Sequence, residues 1–357
     1  MTSLFQINPV DTEYYRSTIH DFLPQRLIDV HTHVYTAALK KPRKAGTGPK
    51  RTVTWPSRVA SENPVEDLME SYRLMFPGKH VTPLMFASAG SRSDDFEAAN
   101  SYVSDCGRVH RFPALLFARP DWTAEQFEQK AVAGGFVGAK VYLSLADERI
   151  AKNDIAIFDF LPHHQLQVLN RHGWIVMLHI PRDGRLKDPV NLAQMIEIEQ
   201  RYPDVKLIIA HVGRAYCDSD VGDAFEKLAV TRTMLFDITA NTNAAVFGQL
   251  IDGVGPKRIL FGSDLPITRM RMRRIDAGDH YVNLVPRGLY GDVSGDKNMG
   301  EVDGEEAAKL SFFMYEEIAA FRRAAESRKL SAADVQDVFY GNAARMLAAA
   351  GFAGLET

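Results

Sequence analysis

LIDVHTHVYT, residues Leu27 to Thr36, reads as an apolar strand that stops on two histidines one residue apart. Side chains alternate across a strand, so His31 and His33 point to one side and Thr32 to the other. Two imidazoles held side by side are either a hydrogen-bonded pair closing a strand or half of a metal site. An isolated HxH does not choose between them, and the decision falls to the rest of the chain.

Outward from this stretch, short apolar runs alternate with longer amphipathic ones from about residue 27 to about residue 325, the pattern of repeated β-α units. Strands are expected at RLIDVHTH, HVTPLMFAS, RFPALLFARP, GFVGAKVYL, GWIVMLHI, VKLIIAHV, TMLFDIT and RILFGSDL, eight in all. Helices are expected at NPVEDLMESYRLMF, TAEQFEQKAVAG, FLPHHQLQVLNRHG, DPVNLAQMIEIEQRYP and DSDVGDAFEKLAV, several with Asp or Asn near the start. Eight strands with intervening helices favour a closed, distorted (β/α)8 TIM barrel over an open sheet. No GxGxxG or GxxxxGK[ST] fingerprint follows the first strand, which counts against nucleotide-binding α/β folds. EEAAKLSFFMYEEIAAFRRAAESR and SAADVQDVFYGNAARMLAAAG then predict a C-terminal helical extension over about 305–350. With no repeat, low-complexity tract or linker in view, residues 1–357 are expected to form one domain. Residues 40–54, rich in Lys and Arg, are expected as an exposed loop after strand one.

Composition narrows the function. At 46% hydrophobic and 24% charged residues, the chain can bury a substantial core. A net charge of -3, with no basic tail, argues against a general nucleic-acid or anionic-membrane binder. Cys106 and Cys217 are too few for a disulfide framework and lack CxxC spacing, which suits a reducing compartment. The first twenty residues make a poor signal peptide, and no segment approaches the roughly 20 apolar residues of a membrane span, so a cytoplasmic protein is expected.

The polar residues that interrupt these strands fall at or near their C-terminal ends. His31 and His33 end the first, Lys140 the fourth, His179 the fifth, His211 the sixth and Asp264 the eighth. Active sites of such barrels lie on that face, where residues distant in sequence converge. Singly, His179 and His211 read as satisfied core histidines and Asp264 as a turn cap. Together, four histidines and an aspartate at strand ends offer the nitrogen and oxygen donors that a divalent metal takes. His163, His164 and His172 sit in helical contexts and read as surface or capping groups.

DVHTH, the strand-five and strand-six histidines, FGSDLP and the closing VFYGNAARML resemble the amidohydrolase superfamily over nearly the whole chain. The similarity is to its amidohydrolase-related branch (amidohydrolase 2), which includes lactonases and aminocarboxymuconate-semialdehyde-type decarboxylases. This resemblance implies a barrel with one or two divalent ions, zinc first and manganese second, held by His31, His33, His179 and Asp264. It makes His211 a catalytic or second-metal residue. Lys140 joins the ligands only if carboxylated; as a plain lysine it would pair with an anionic substrate or with Asp264.

The chemistry expected of this set is hydrolysis of a small anionic ester, lactone or amide by metal-activated water, with Asp264 and His211 as the catalytic pair. The alternative is non-oxidative decarboxylation of a small carboxylic acid on nearly the same ligands. Arg119, Arg182, Arg185, Arg214, Arg269, Arg271, Arg273 and Arg274 follow strand ends, and guanidinium forks suit carboxylates. From them Arg182, Arg214 and Arg269 are the expected substrate contacts, with Tyr35 and Tyr142 as aromatic walls. Residues 265–304 are too long for a simple connection and are expected to form a lid. A homo-oligomer is left open.

Overall fold

The computed structural model describes residues 4–39, 55–88 and 94–355, so the loop expected at 40–54 lies outside the described residues. Eight short strands carry the fold: β1 (Arg26–His33), β2 (His80–Phe86), β3 (Leu116–Phe117), β4 (Gly138–Val141), β5 (Ile175–Leu178), β6 (Lys206–Ile209), β7 (Leu235–Asp237) and β8 (Ile259–Leu260). β1 pairs with β2, and β3 to β8 form one six-stranded sheet, every pairing parallel. Backbone hydrogen bonds join the two pieces. Leu115 N donates to Met85 O (2.9 Å) on one side, and on the other Val30 N donates to Phe261 O and His33 N to Leu265 O (both 3.0 Å). These links close the ring, giving the (β/α)8 arrangement expected.

Alternation explains why these runs are apolar on both faces. Ile28, Val30, Leu84, Phe86, Leu115, Ile175, Met177, Ile208 and Leu260 pack together inside the ring. Their neighbours Leu27, Met85, Leu116, Val176, Leu178, Ile209 and Ile259 turn outward into the helical layer. The helices start where short polar side chains can cap them. Asp188, for example, accepts from Val190 N and Asn191 N (3.0 and 3.2 Å) ahead of the helix Pro189–Arg201. The stretch DSDVGDAFEKLAV yields less helix than its sequence suggested, only Ala224–Leu228 after a turn at Asp218–Asp220. Among the described residues no helix is long and apolar enough to cross a membrane.

The C-terminal extension decides which end of the barrel is open. Ala343, Met346 and Leu347 of the helix Asn342–Ala349 belong to the inner cluster, and Asn342 Nδ2 donates to Pro256 O and Ile259 O (2.8 Å each). This helix therefore plugs the N-terminal end. Leu347 is fully buried there, and its truncation to alanine would cost about 2–5 kcal/mol.

At the other end, the connection expected as a lid holds a small sheet. β9 (Arg273–Asp276) is antiparallel to β10 (Tyr281–Pro286), which is parallel to β11 (Met299–Val302). Tyr281, Asn283 and Val285 alternate inward. Val285 and Met299 pack with Trp55, Met270, Met272, Phe313 and Ala240, the last just beyond β7. This cap thus leans on the C-terminal rim.

Candidate active site

A bulge aims the first two histidines. Ile28 and Val30 face the interior, and the β1–β2 register slips between Asp29 and Thr32. The next inward side chains are therefore His31 and His33, where unbroken alternation from Val30 would have presented Thr32. His31 Nδ1 lies 2.9 Å from Asp237 Oδ2, and His33 Nδ1 lies 3.1 Å from Ala87 O. Both acceptors fix the proton on Nδ1 and leave the Nε2 lone pairs free. Asp264 Oδ1 sits 3.3 Å from His33 Nε2 and 3.9 Å from His31 Nε2. One ligand atom of each of His31, His33 and Asp264 lies within 4.8 Å of the others.

The opposite part of the rim is built on left-handed backbone. His211, Val212, Gly213 and Arg214 have φ of 57, 49, 62 and 60°, a left-handed turn directly after β6. Ala240 (φ 49°) follows β7 and Asp264 (φ 58°) follows β8. Each non-glycine residue held this way costs about 1–2 kcal/mol, so the surroundings must hold it. They do. His211 N donates to Asp237 Oδ1 (2.6 Å), Ala240 N to Glu317 Oε2 (2.6 Å) and Asp264 N to His31 O (2.7 Å). Gly262 permits the tight approach of β8, because a Cβ there would stand 2.3 Å from Thr239 Oγ1 and 2.8 Å from the His31 Cβ.

Burial sets the charges. It drives the His31 imidazole well below its ordinary range, with Lys140 adding to the shift. Burial and then Arg214 do the same to His179, and burial lowers His211. For Asp264 burial works upward, while His33, His31 and His211, whenever protonated, pull the carboxyl below the usual range. The fully buried Lys140 amine is pulled down to about 8 by burial, against the attraction of Asp237 and Asp264. Its Nζ lies 3.4 Å from His31 Nε2, and no ion pair between Lys140 and Asp264 forms among the described residues.

The remaining expected residues divide. The His211 ring is 4.9 Å from the His31 ring and 5.2 Å from the His179 ring, which in turn is 5.0 Å from Tyr142. His211 Nδ1 lies 3.0 Å from Thr239 O, an atom that only accepts, so Nε2 of the neutral ring carries the lone pair. His179 lies outside the tight three-residue group, and its buried Nδ1 has no hydrogen-bond partner. Arg182 is engaged by Asp188 (3.1 Å). Arg214 Nη1 turns to the carbonyls of Pro181 and Arg182 (3.1 and 3.2 Å). Arg269 binds Asn63 Oδ1 and keeps a buried, unpartnered Nε, while Tyr35 OH reaches Ala60 O at 3.5 Å.

Asp237 is the residue that sequence reasoning passed over. It ends β7, bonds both His31 and the His211 amide, and carried the same signal as its neighbours, a lone acid closing an apolar strand. Glu317 was also missed. It lies in the middle of the helix Phe313–Ser327, where nothing local distinguishes it.

Neutral imidazoles with directed lone pairs, an ionised carboxylate oxygen and the orphaned His179 nitrogen fit a divalent cation of the zinc or manganese kind. A family model described as Amidohydrolase matches residues 28–348. The chain belongs to that family. This amidohydrolase is an enzyme of the metal-dependent hydrolase type, and its family uses divalent metals. Comparison with curated proteins returned no match. Among solved structures, 5-carboxyvanillate decarboxylase from Sphingomonas paucimobilis is similar at 15% identity and TM-score 0.51, over 90% of this chain and 99% of that one. 4-Oxalomesaconate hydratase from Rhodopseudomonas palustris aligns at 16% and 0.52, over 90% and 96%. A dihydroxybenzoic acid decarboxylase from Polaromonas, with bound manganese, aligns at 14% and 0.50, over 94% and 100%. At these identities the likeness is one of fold.

Proposed function

We propose that this amidohydrolase cleaves a small anionic ester, lactone or amide with water, using a divalent ion, zinc before manganese, held by His31, His33, His179 and Asp264. The observation that carries the reading is the buried Asp264 carboxyl, whose Oδ1 lies 3.3 Å from His33 Nε2 and 3.9 Å from His31 Nε2. When bound, such an ion supplies acidified water and polarises a carbonyl oxygen. Asp264 then accepts a proton from the attacking water. His211, neutral with its lone pair on Nε2, is placed to take that proton onward to the leaving group; it has no ring proton left to polarise a carbonyl. Asp237 holds the His31 tautomer throughout. Lys140 stands beside His31 and enters the ligand set, for a second ion, only in carboxylated form. A reducing, cytoplasmic setting accords with two buried, unpaired cysteines.

Turnover in oxygen-18 water across a panel of lactones, esters and amides of small carboxylic acids tests the reaction. Label in the product acid is the expected result. Release of carbon dioxide, with solvent deuterium entering the product carbon and no oxygen label, would show decarboxylation instead.

A further inference from the structure

The cap brings to the rim an arginine that no acid among the described residues neutralises. Arg274, on β9, lies with its guanidinium carbon 4.1 Å from the Tyr281 ring centre and 4.5 Å from that of Phe313. Its Nε donates to Asn283 Oδ1 (2.8 Å) and its Nη1 to Ala240 O (2.7 Å), both uncharged acceptors. Among the described residues no carboxylate forms an ion pair with it. Arg185 offers the contrast. It faces the same Tyr216 and Tyr281 rings, at 5.4 and 5.9 Å, but is paired with Asp220.

Two guanidiniums therefore bracket Tyr216, since Arg274 lies 5.1 Å from its ring centre, and only one has a counter-ion. Partly buried cations without a paired anion are costly, and the structure holds this one in place with contacts to the Tyr281 and Phe313 rings and two hydrogen bonds. The Nη2 edge is the part of the fork that no acceptor among the described residues takes. The position is close to the chemistry. The Tyr216 ring is 6.3 Å from the His211 ring, and Ala240 follows Thr239, whose carbonyl holds His211 Nδ1.

We propose that Arg274 receives a carboxylate of the substrate remote from the bond that reacts, so that the substrate class is an organic acid carrying its anion apart from its ester, lactone or amide group. The proposal rests on the hydrolytic reading for the reacting end of the substrate, while the anion contact stands on the cap alone. A planar carboxylate fits a guanidinium edge, and the nearby rings of Tyr216, Tyr281 and Phe313 favour an unsaturated or ring-bearing acid.

The test uses isophthalate and its neutral analogue isophthalamide as probes, titrated calorimetrically into the metal-loaded full chain. Arg274→Gln should weaken isophthalate by about tenfold and leave isophthalamide within about twofold, as loss of one charge-assisted contact predicts. Arg274→Lys should recover part of the loss, and Arg273→Gln, at an exposed neighbour, should change neither probe. Equal weakening of both probes would reduce Arg274 to a clamp for the cap, and an unchanged isophthalate affinity, or none in the parent protein, would also overturn the proposal. Because binding is read without turnover, a hydrolysis assay that fails while the isophthalate difference persists condemns the reaction and spares the anion site. Hydrolysis with no such difference does the reverse.

Discussion

The two sides of the rim place their side chains by different means. On β1, β4 and β5, His31, His33, Lys140 and His179 sit on or just past extended strands, and a bulge between Asp29 and Thr32 aims the first two. On β6, β7 and β8 the backbone turns left-handed at His211, Ala240 and Asp264. There the placement depends on two buried carboxyl groups, Asp237 at the end of β7 and Glu317 on the helix Phe313–Ser327, which hold the amides of His211 and Ala240. The regular side supplies lone pairs on rigid strands. In the proposed mechanism the strained side supplies the groups that move protons, and its left-handed backbone stores free energy.

The largest effect that would break this division is at Asp264. Asp264→Asn should lower kcat by about 10²–10⁴-fold with the fold retained, read by steady-state kinetics beside circular dichroism. Turnover within about twofold of the parent would remove the base from the strained side.

Next comes Asp237, which serves both sides at once. Asp237→Asn should weaken metal binding by about 10–100-fold, because it loosens the His31 tautomer and the His211 amide together. A competition titration against a chelator measures it, and an unchanged affinity would make Asp237 a packing residue.

Glu317 gives a pH signature. Burial raises its pKa well above the usual carboxylate value, so the folded protein keeps it protonated while the unfolded chain ionises above about 4.5. A folded pKa raised in this way lowers stability as pH rises through the unfolded value, by about 1.4 kcal/mol per unit, until the folded group ionises too. Glu317→Gln, which cannot ionise, should therefore match the parent near pH 4.5 and gain on it as pH rises above about 5, at up to that slope until the folded group ionises. Parallel urea midpoints across this range would contradict the burial argument.

The smallest effect is a pair of glycine substitutions. Ala240→Gly relieves a left-handed alanine and should be neutral or stabilising by up to about 1 kcal/mol. Ala139→Gly, on regular β4, should destabilise by about 1 kcal/mol. Equal losses at both sites would show that the two sides do not differ in strain.

These differences also mark what the sequence could convey. Strand alternation made the eight strands and the polar residues at their ends legible, because a period of two survives in any local window. The bulge at Asp29–Thr32 was not, since only pairing with β2 and β8 reveals that His31 replaces Thr32 as the inward residue. Left-handed Val212 is opposed to its own β-branched preference and is held by tertiary contacts that no local pattern encodes. The arginines after the strand ends were legible as a set but not one by one. Arg182 is taken by a helix-capping aspartate and Arg214 by carbonyls, while Arg274, on the cap sheet, meets no acid among the described residues.

Metal content tests the rim site most directly. After dialysis against zinc and removal of the excess, elemental analysis should find at least one equivalent per chain in the parent. His31→Ala and Asp264→Ala should each hold well under a tenth of that, with both variants folded by circular dichroism. Full zinc occupancy in both variants would contradict the assignment of this rim as the metal site.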